Sequence, residues 1–162
     1  MSKKPHETKT NAIREVEAAH LPCTVRTFDT DGALSGVEVA ELLGLDADRV
    51  FKTLVTVGKS GEHYVFMVPV AEELDLKRAA QAVQEKAIEM IRSKELLPLT
   101  GYVHGGCSPI GMKRQFRTVI DETAQLFNTI YFSGGRIGCQ LEMTPEDLER
   151  IVPLEYADIT VR

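Results

Sequence analysis

The sequence predicts an α/β (α+β) fold, a mixed β-sheet flanked by helices in one domain over 1–162. Three observations predict it. Apolar, β-branched runs of strand length recur, as in VFKTLVTV at 50–57 and HYVFMVPV at 63–70. Segments with helical spacing stand between such runs. Some strands are joined by short Gly-rich turns and others by helices, so the order is not a regular βαβ array. The 162 residues suffice for one sizeable core and are few for two. With 43% hydrophobic and 27% charged residues, the chain is a globular protein and not a disordered one.

Each element has a local reason. Residues 1–9 read as a polar tail. Thr10 or Asn11 caps a helix that carries Ile13, Val16 and Ala19 on one face, and Pro22 ends it. Cys23 to Phe28 alternates like a strand and runs into the turn Asp29-Thr-Asp-Gly32. Gly36 to Leu43 is a short helix closed by Gly44. Val50 to Val57 and His63 to Val70 form a hairpin through Gly58-Lys-Ser-Gly61. Asp75 caps a helix to about Lys86, and Ala87 to Ile91 is a short strand. Ser93 caps a turn of helix that Pro98 stops. Gly101 to His104 is a short strand leading into the glycine-rich loop Gly105 to Gly111. Thr118 to Asp121 is strand, Glu122 to Phe127 helix and Thr129 to Phe132 strand. The turn Ser133 to Gly138 leads into a strand from Cys139 to Met143, and Thr144-Pro145 starts a helix.

Charge and composition exclude several classes. With 24 acids against 19 bases the net charge is −5, so this is not a basic protein that coats nucleic acid by charge alone. No apolar run approaches the ~20 residues of a membrane span, so no membrane partner is expected. The charged N-terminus lacks the apolar stretch of a signal peptide. Cys23, Cys107 and Cys139 form neither an even framework nor a C-x-x-C pair, which points to a reducing cytoplasm.

Few motifs carry chemistry. The loop GGCSPIGMK departs from a phosphate-binding P-loop: Lys113 is one place late, Arg114 replaces the hydroxyl residue and Pro109 removes a donor. Its adjacent glycines either relieve crowding at a turn or let a ligand approach the backbone. His104 and Cys107 could pair as base and nucleophile only if they faced the same way, and an extended segment turns them apart. Cys107 otherwise reads as a small apolar filler. The histidines show no metal-ligand spacing.

Lys52 stands inside an apolar strand. It either faces solvent and guards an edge, or presents an ammonium to a cleft, where it holds a carbonyl, carboxylate or phosphate. Ser133-Gly134-Gly135 is either a tight hairpin or a turn that offers a hydroxyl and N–H groups. Lys113-Arg114-x-x-Arg117 is the one basic cluster, a solvated face or a contact for RNA phosphates.

Four stretches in order, VFKTLVTVGK, VPVAEELDLKRAA, TGYVHGGCSPIGMKRQF and IYFSGGRIGCQLE, closely resemble the YbaK/EbsC family of deacylases for Cys-tRNA(Pro), related to the editing domain of prolyl-tRNA synthetase. The resemblance runs from about Thr10 to Thr160. It implies a mixed, barrel-like β-sheet surrounded by helices. It implies cleavage of the ester of mischarged Cys-tRNA(Pro), with prolyl-tRNA synthetase as partner and no cofactor. Matched by position, Lys52 is the essential lysine with Thr53 beside it. Gly105 and Gly106 line the site through their backbone, in the loop that ends at Pro109. Ser133 and Gly134 form the opposing turn, and Phe28 an aromatic wall. Ser35 and Gln140 stand where the best-known branch has phenylalanine and aspartate. The resemblance further implies that the substrate's own thiol attacks its ester. The rival expectations are a deacylase for another amino acid, such as Ala-tRNA(Pro), and a non-catalytic module that binds tRNA or a synthetase.

Overall fold

The computed structural model describes residues 9–162, so all of the expected polar tail except Lys9 lies outside the described residues. Helix α1 (Asn11–Ala18) is capped by the Thr10 hydroxyl, which accepts from the Ile13 N–H. Strand β1 (Thr24–Thr27) and helix α2 (Gly36–Leu43) follow, and Gly44 closes α2 at φ +68°. Then come β2 (Phe51–Gly58), β3 (His63–Pro69), α3 (Leu76–Ala82), β4 (Ile88–Met90) and α4 (Ser93–Thr100). The C-terminal half holds β5 (Arg117–Asp121), β6 (Ile130–Ser133), β7 (Cys139–Met143), α5 (Pro145–Glu149) and β8 (Leu154–Ala157).

The strands form two sheets, in the orders β4-β2-β3-β5-β8 and β1-β7-β6. β2 and β3 make the expected antiparallel hairpin, from Phe51 opposite Pro69 to Val57 opposite His63. β3 is flanked on both edges and runs parallel to β5. That position explains why YVFMVP is apolar throughout instead of alternating. Its side chains serve three cores, the smallest through Val65, which packs with Val55, Leu96 and Cys107. Met67 enters the main one between the sheets, with Phe51, Ile110, Ile120, Phe132, Leu141 and Leu148, and α1 covers it through Ala12 and Val16. Phe66 and Val68 face the other way, onto Ala79, Ala80 and Val83 of the α3 region. Phe66 is wholly buried, worth about 1.5–3 kcal/mol relative to an exposed ring.

Several local expectations are corrected. Pro98 does not stop α4; it lies inside a helix that continues to Thr100, and Gly101 ends it at φ +86°. The residue preceding α4 is Arg92, not Ser93, with its N–H donating to Glu95. α3 ends at Ala82, and Gln84 is left-handed at φ +58°. Gly101 to His104 is not a strand: Tyr102 turns inward and donates its hydroxyl to the Ile110 carbonyl at 2.6 Å. Residues 122–126 form a 3₁₀ helix. β8 was not expected; its exposed Glu155 and half-buried partners hide the strand pattern. The sheet is mixed and ringed by helices as expected, but it is split in two and does not close into a barrel. Among the described residues one bridge, Val50 to Tyr131, connects the halves.

Candidate functional site

The site forms where, among the described residues, β2 lacks a neighbour along part of one edge. β3 covers one edge of β2 for most of its length. On the opposite edge β4 pairs only with Thr56 to Gly58, and β6 reaches only Val50. Between these contacts the sheet forks, and a cavity of about 470 Å³ opens against Phe51 to Val55. Its other walls are the start of α2 from Leu34 to Val37, the β4–α4 junction from Met90 to Ser93, the loop residues His104, Gly105 and Cys107, and Ser133 and Gln140 of the second sheet.

The fork explains how one wall displays both Lys52 and Thr53, which a covered strand would send to opposite faces. Lys52 is half-buried and makes no hydrogen bond or ion pair with the described residues. Among the described residues, Lys52 and Arg92 are the charged residues of the wall and no carboxylate joins them. In a protein of net charge −5 this is a local positive field, focused by low-dielectric walls. Thr53 Oγ1 and Gln140 Oε1 are buried oxygens without a hydrogen-bond partner among the described residues. Each such group costs about 1–3 kcal/mol until something satisfies it.

The sequence-derived residues divide into two sets. Lys52, Thr53, Ser35, Gly105, Ser133 and Gln140 share the wall; Phe28, Gly106, Pro109 and Gly134 do not. Ser35 is committed to α2: its hydroxyl accepts from the Glu38 N–H and its own N–H donates to the Glu38 carboxylate. The Ser133 hydroxyl accepts from the Gly135 N–H at 3.2 Å. The backbone expectation is corrected in part. The Gly106 N–H donates to Val103 at 3.0 Å and the Gly134 N–H to Cys139 at 2.8 Å, so neither is free for a ligand. Both are glycine for packing: a Cβ on Gly106 would sit 2.8 Å from the Arg136 backbone, and one on Gly134 2.4 Å from Cys139 Sγ. The Gly105 N–H has no partner among the described residues and lies at the wall. Phe28 is half-buried, with its N–H bonded to Gly138.

Cys107 lines the cavity, but burial pushes its thiol up to about 12. At neutral pH it is a protonated filler, packed with Val55, Leu96 and Met112. Among the described residues no three His, Cys, Asp or Glu side chains gather as a metal site, and no helix is long and apolar enough to cross a membrane. Arg92 escaped the sequence reading. It is 40 positions from Lys52, and the pairing of β4 with β2 brings the start of α4 beside that strand.

The model of the aminoacyl-tRNA editing domain matches residues 30–151, most of the chain and every wall of the cavity. The chain belongs to the aminoacyl-tRNA editing domain family. It is 44% identical, over its whole length and 99% of the relative's, to a protein of Enterococcus faecalis named "Putative Cys-tRNA(Pro)/Cys-tRNA(Cys) deacylase EbsC". A proline–tRNA ligase of Pelobacter propionicus is 32% identical over 84 residues, which is 52% of this chain and 15% of the ligase. A solved structure described as "a putative trans-editing enzyme for prolyl tRNA synthetase" superposes at a TM-score of 0.80 with 25% identity, covering 99% of this chain and all of the other. The expected family and fold are thereby borne out.

Proposed function

We propose that this aminoacyl-tRNA deacylase removes cysteine mischarged onto tRNA(Pro), acting in the cytoplasm beside prolyl-tRNA synthetase, and that its described part works as a single editing domain. One observation carries the reading: a cavity whose charged groups are two unpaired cations, with two buried oxygens awaiting donors. A cavity of about 470 Å³ is of the size that holds a small ligand. Here the ligand is the terminal ribose with its amino acid. The Lys52 ammonium holds the ribose–phosphate end or the ester carbonyl, and the Gly105 N–H eases charge on the carbonyl oxygen. Gln140 Oε1 accepts from the substrate's α-ammonium, and Thr53 Oγ1 bonds the ribose. Ser35 and Ser133 shape the rim.

Among the described residues no convincing nucleophile stands at the cavity, since Cys107 is protonated and no base is bonded to the Ser133 hydroxyl. The substrate supplies one. The cysteine sulfur attacks its own acyl carbon, the acyl–oxygen bond breaks, and the thiol proton ends on the departing ribose hydroxyl. A thiol is partly ionised near neutral pH, unlike a hydroxyl. Orientation in the cavity gives the attack a high effective molarity. This also resolves a selectivity problem. Cysteine and proline are close in size, and a small apolar pocket separates such neighbours by only about 1–3 kcal/mol. The relation to proline–tRNA ligase and the acidic net charge support a synthetase partner that brings the tRNA.

A panel of charged tRNAs, with and without prolyl-tRNA synthetase, tests this. Cys-tRNA(Pro) is cleaved fastest, Ala- and Ser-tRNA(Pro) far more slowly, and the synthetase raises apparent affinity. Preference for Ala-tRNA(Pro) would make the chain an alanine editor. Absence of multiple turnover on every substrate would make it a binding module.

A further inference from the structure

The basic residues of this acidic chain are distributed unevenly. Residues 91–117 hold five Lys or Arg and one acid, while the rest of the sequence holds 14 bases and 23 acids. This segment is α4 and the glycine-rich loop, which form part of the cavity wall. Most arginines elsewhere are ion-paired: Arg26 and Arg49 share Glu142, Arg78 reaches Asp75 and Asp158, Arg162 also reaches Asp158, and Arg150 lies beside Asp147. Within the segment Arg117 is also spent, held by Glu155 at 2.6 Å. Arg92, Lys94, Lys113 and Arg114 are not paired in this way, and they are clustered on one segment. All four are exposed, and none forms an ion pair among the described residues.

Their placement makes a track. Arg92 stands at the cavity, and Lys94 opens α4 beside it. At the far end of α4 the Lys113 N–H donates to the Thr100 carbonyl, and the Lys113 side chain lies against Gly101. Arg114 follows, its guanidinium 5.7 Å from the centre of the Phe116 ring. Eight helical residues span about 12 Å, the reach of a few nucleotides of single strand.

We propose that Lys94, Lys113 and Arg114 form a phosphate-binding ribbon along α4 that guides the single-stranded 3′ end of an RNA to Arg92 and into the cavity. The proposal rests on the deacylase reading for what happens inside the cavity, but not for the binding itself. The ribbon reads phosphates and not bases, so binding is sequence-tolerant, weak and sensitive to salt. It reconciles a net negative protein with an RNA substrate.

The test is fluorescence anisotropy with an uncharged RNA hairpin bearing a single-stranded CCA end, over roughly 50–200 mM salt. The Lys113→Glu/Arg114→Glu variant weakens binding at least tenfold and flattens the salt slope by about one to two. Lys59→Glu/Lys77→Glu, with the same net charge but on exposed positions away from α4, changes binding less than about twofold. The ribbon variant still cleaves cysteine methyl ester as the parent does, because the cavity is intact. If the double variant fails to fold, Lys113→Gln and Arg114→Gln singly each show about half the loss. Unchanged RNA binding, or equal weakening by the control pair, would overturn the ribbon. So would loss of synthetase binding with RNA affinity intact, which would make α4 a protein interface. A parent that binds the hairpin through the ribbon yet cleaves no ester would leave the ribbon standing and remove the deacylase reading.

Discussion

Two polar clusters lie two residues apart on β7 and are built on opposite terms. Around Glu142 the charges are closed on one another. The Thr129 hydroxyl donates to the carboxylate at 2.6 Å, Arg26 and Arg49 approach it at 3.4 and 3.8 Å, and both guanidiniums lie over the Tyr131 ring. Around Gln140 the groups are open: an acceptor without a donor, a threonine oxygen without a partner, and two cations without an acid. The closed cluster ties β1, β6 and β7 together next to the bridge between the sheets. The open one is stable only because the fold around it is held elsewhere. The difference teaches that charges paired with one another serve the fold, whereas charges left without an opposite partner beside a cavity are available to a ligand.

The largest effect separates the two clusters directly. Lys52→Ala keeps the melting temperature of the parent and loses on the order of 100–1000-fold in deacylation rate, the usual cost of removing a preorganised charge. Wild-type turnover in a folded Lys52→Ala protein would show that the open cluster is not the working one. Glu142→Ala is the mirror experiment. It costs about 1–2 kcal/mol of stability, or roughly 2–8 °C in Tm, while activity per folded molecule stays within about twofold. The Thr129 hydroxyl, then the Tyr131 hydroxyl and Arg26, hold the Glu142 carboxyl below its ordinary value against the opposing effect of burial. Its stabilisation is therefore present above the unfolded value near 4.3 and is lost as pH falls through the lower folded value. Thermal melts of parent and Glu142→Ala should converge as pH drops below about 4; a gap that persists at pH 2 would assign the loss to packing.

The smallest effect concerns Cys107, which lies on the cavity wall but belongs to neither cluster. Cys107→Ser retains substantial activity, because the thiol fills space among apolar neighbours. The native thiol, pushed up to about 12, reacts slowly with iodoacetamide at pH 8. An inactive but folded Cys107→Ser protein, together with an acyl group trapped on the native thiol, would restore an enzymic nucleophile.

The comparison also marks how far the sequence could be read. Lys52 was visible because a lysine inside VFKTLVTV breaks the strand pattern, and the β2–β3 hairpin followed from its two apolar runs and glycine turn. The site's shape was not visible. It depends on where β4 and β6 leave the outer edge of β2, a tertiary fact that no local pattern encodes, and so Arg92 was missed. Pro98 misled because the chain tolerates one lost backbone bond on an exposed face of α4. The glycines of the loop were recognised as close approaches, but a sequence does not tell whether the approaching atoms belong to a ligand or, as at Gly106, to Arg136. Ser35 and Gln140 sit on the wall as placed by position, while Phe28 fell outside it because its backbone is drawn to Gly138.

The central claim is that the chain supplies position and charge while the substrate supplies the nucleophile. Single-turnover deacylation of Cys-tRNA(Pro) against the same tRNA carrying S-methylcysteine measures this most directly, with binding of both followed in parallel. The methylated substrate should bind comparably and be cleaved at no more than the background rate. Equal cleavage of the two would contradict the account and make a bound water the attacking group.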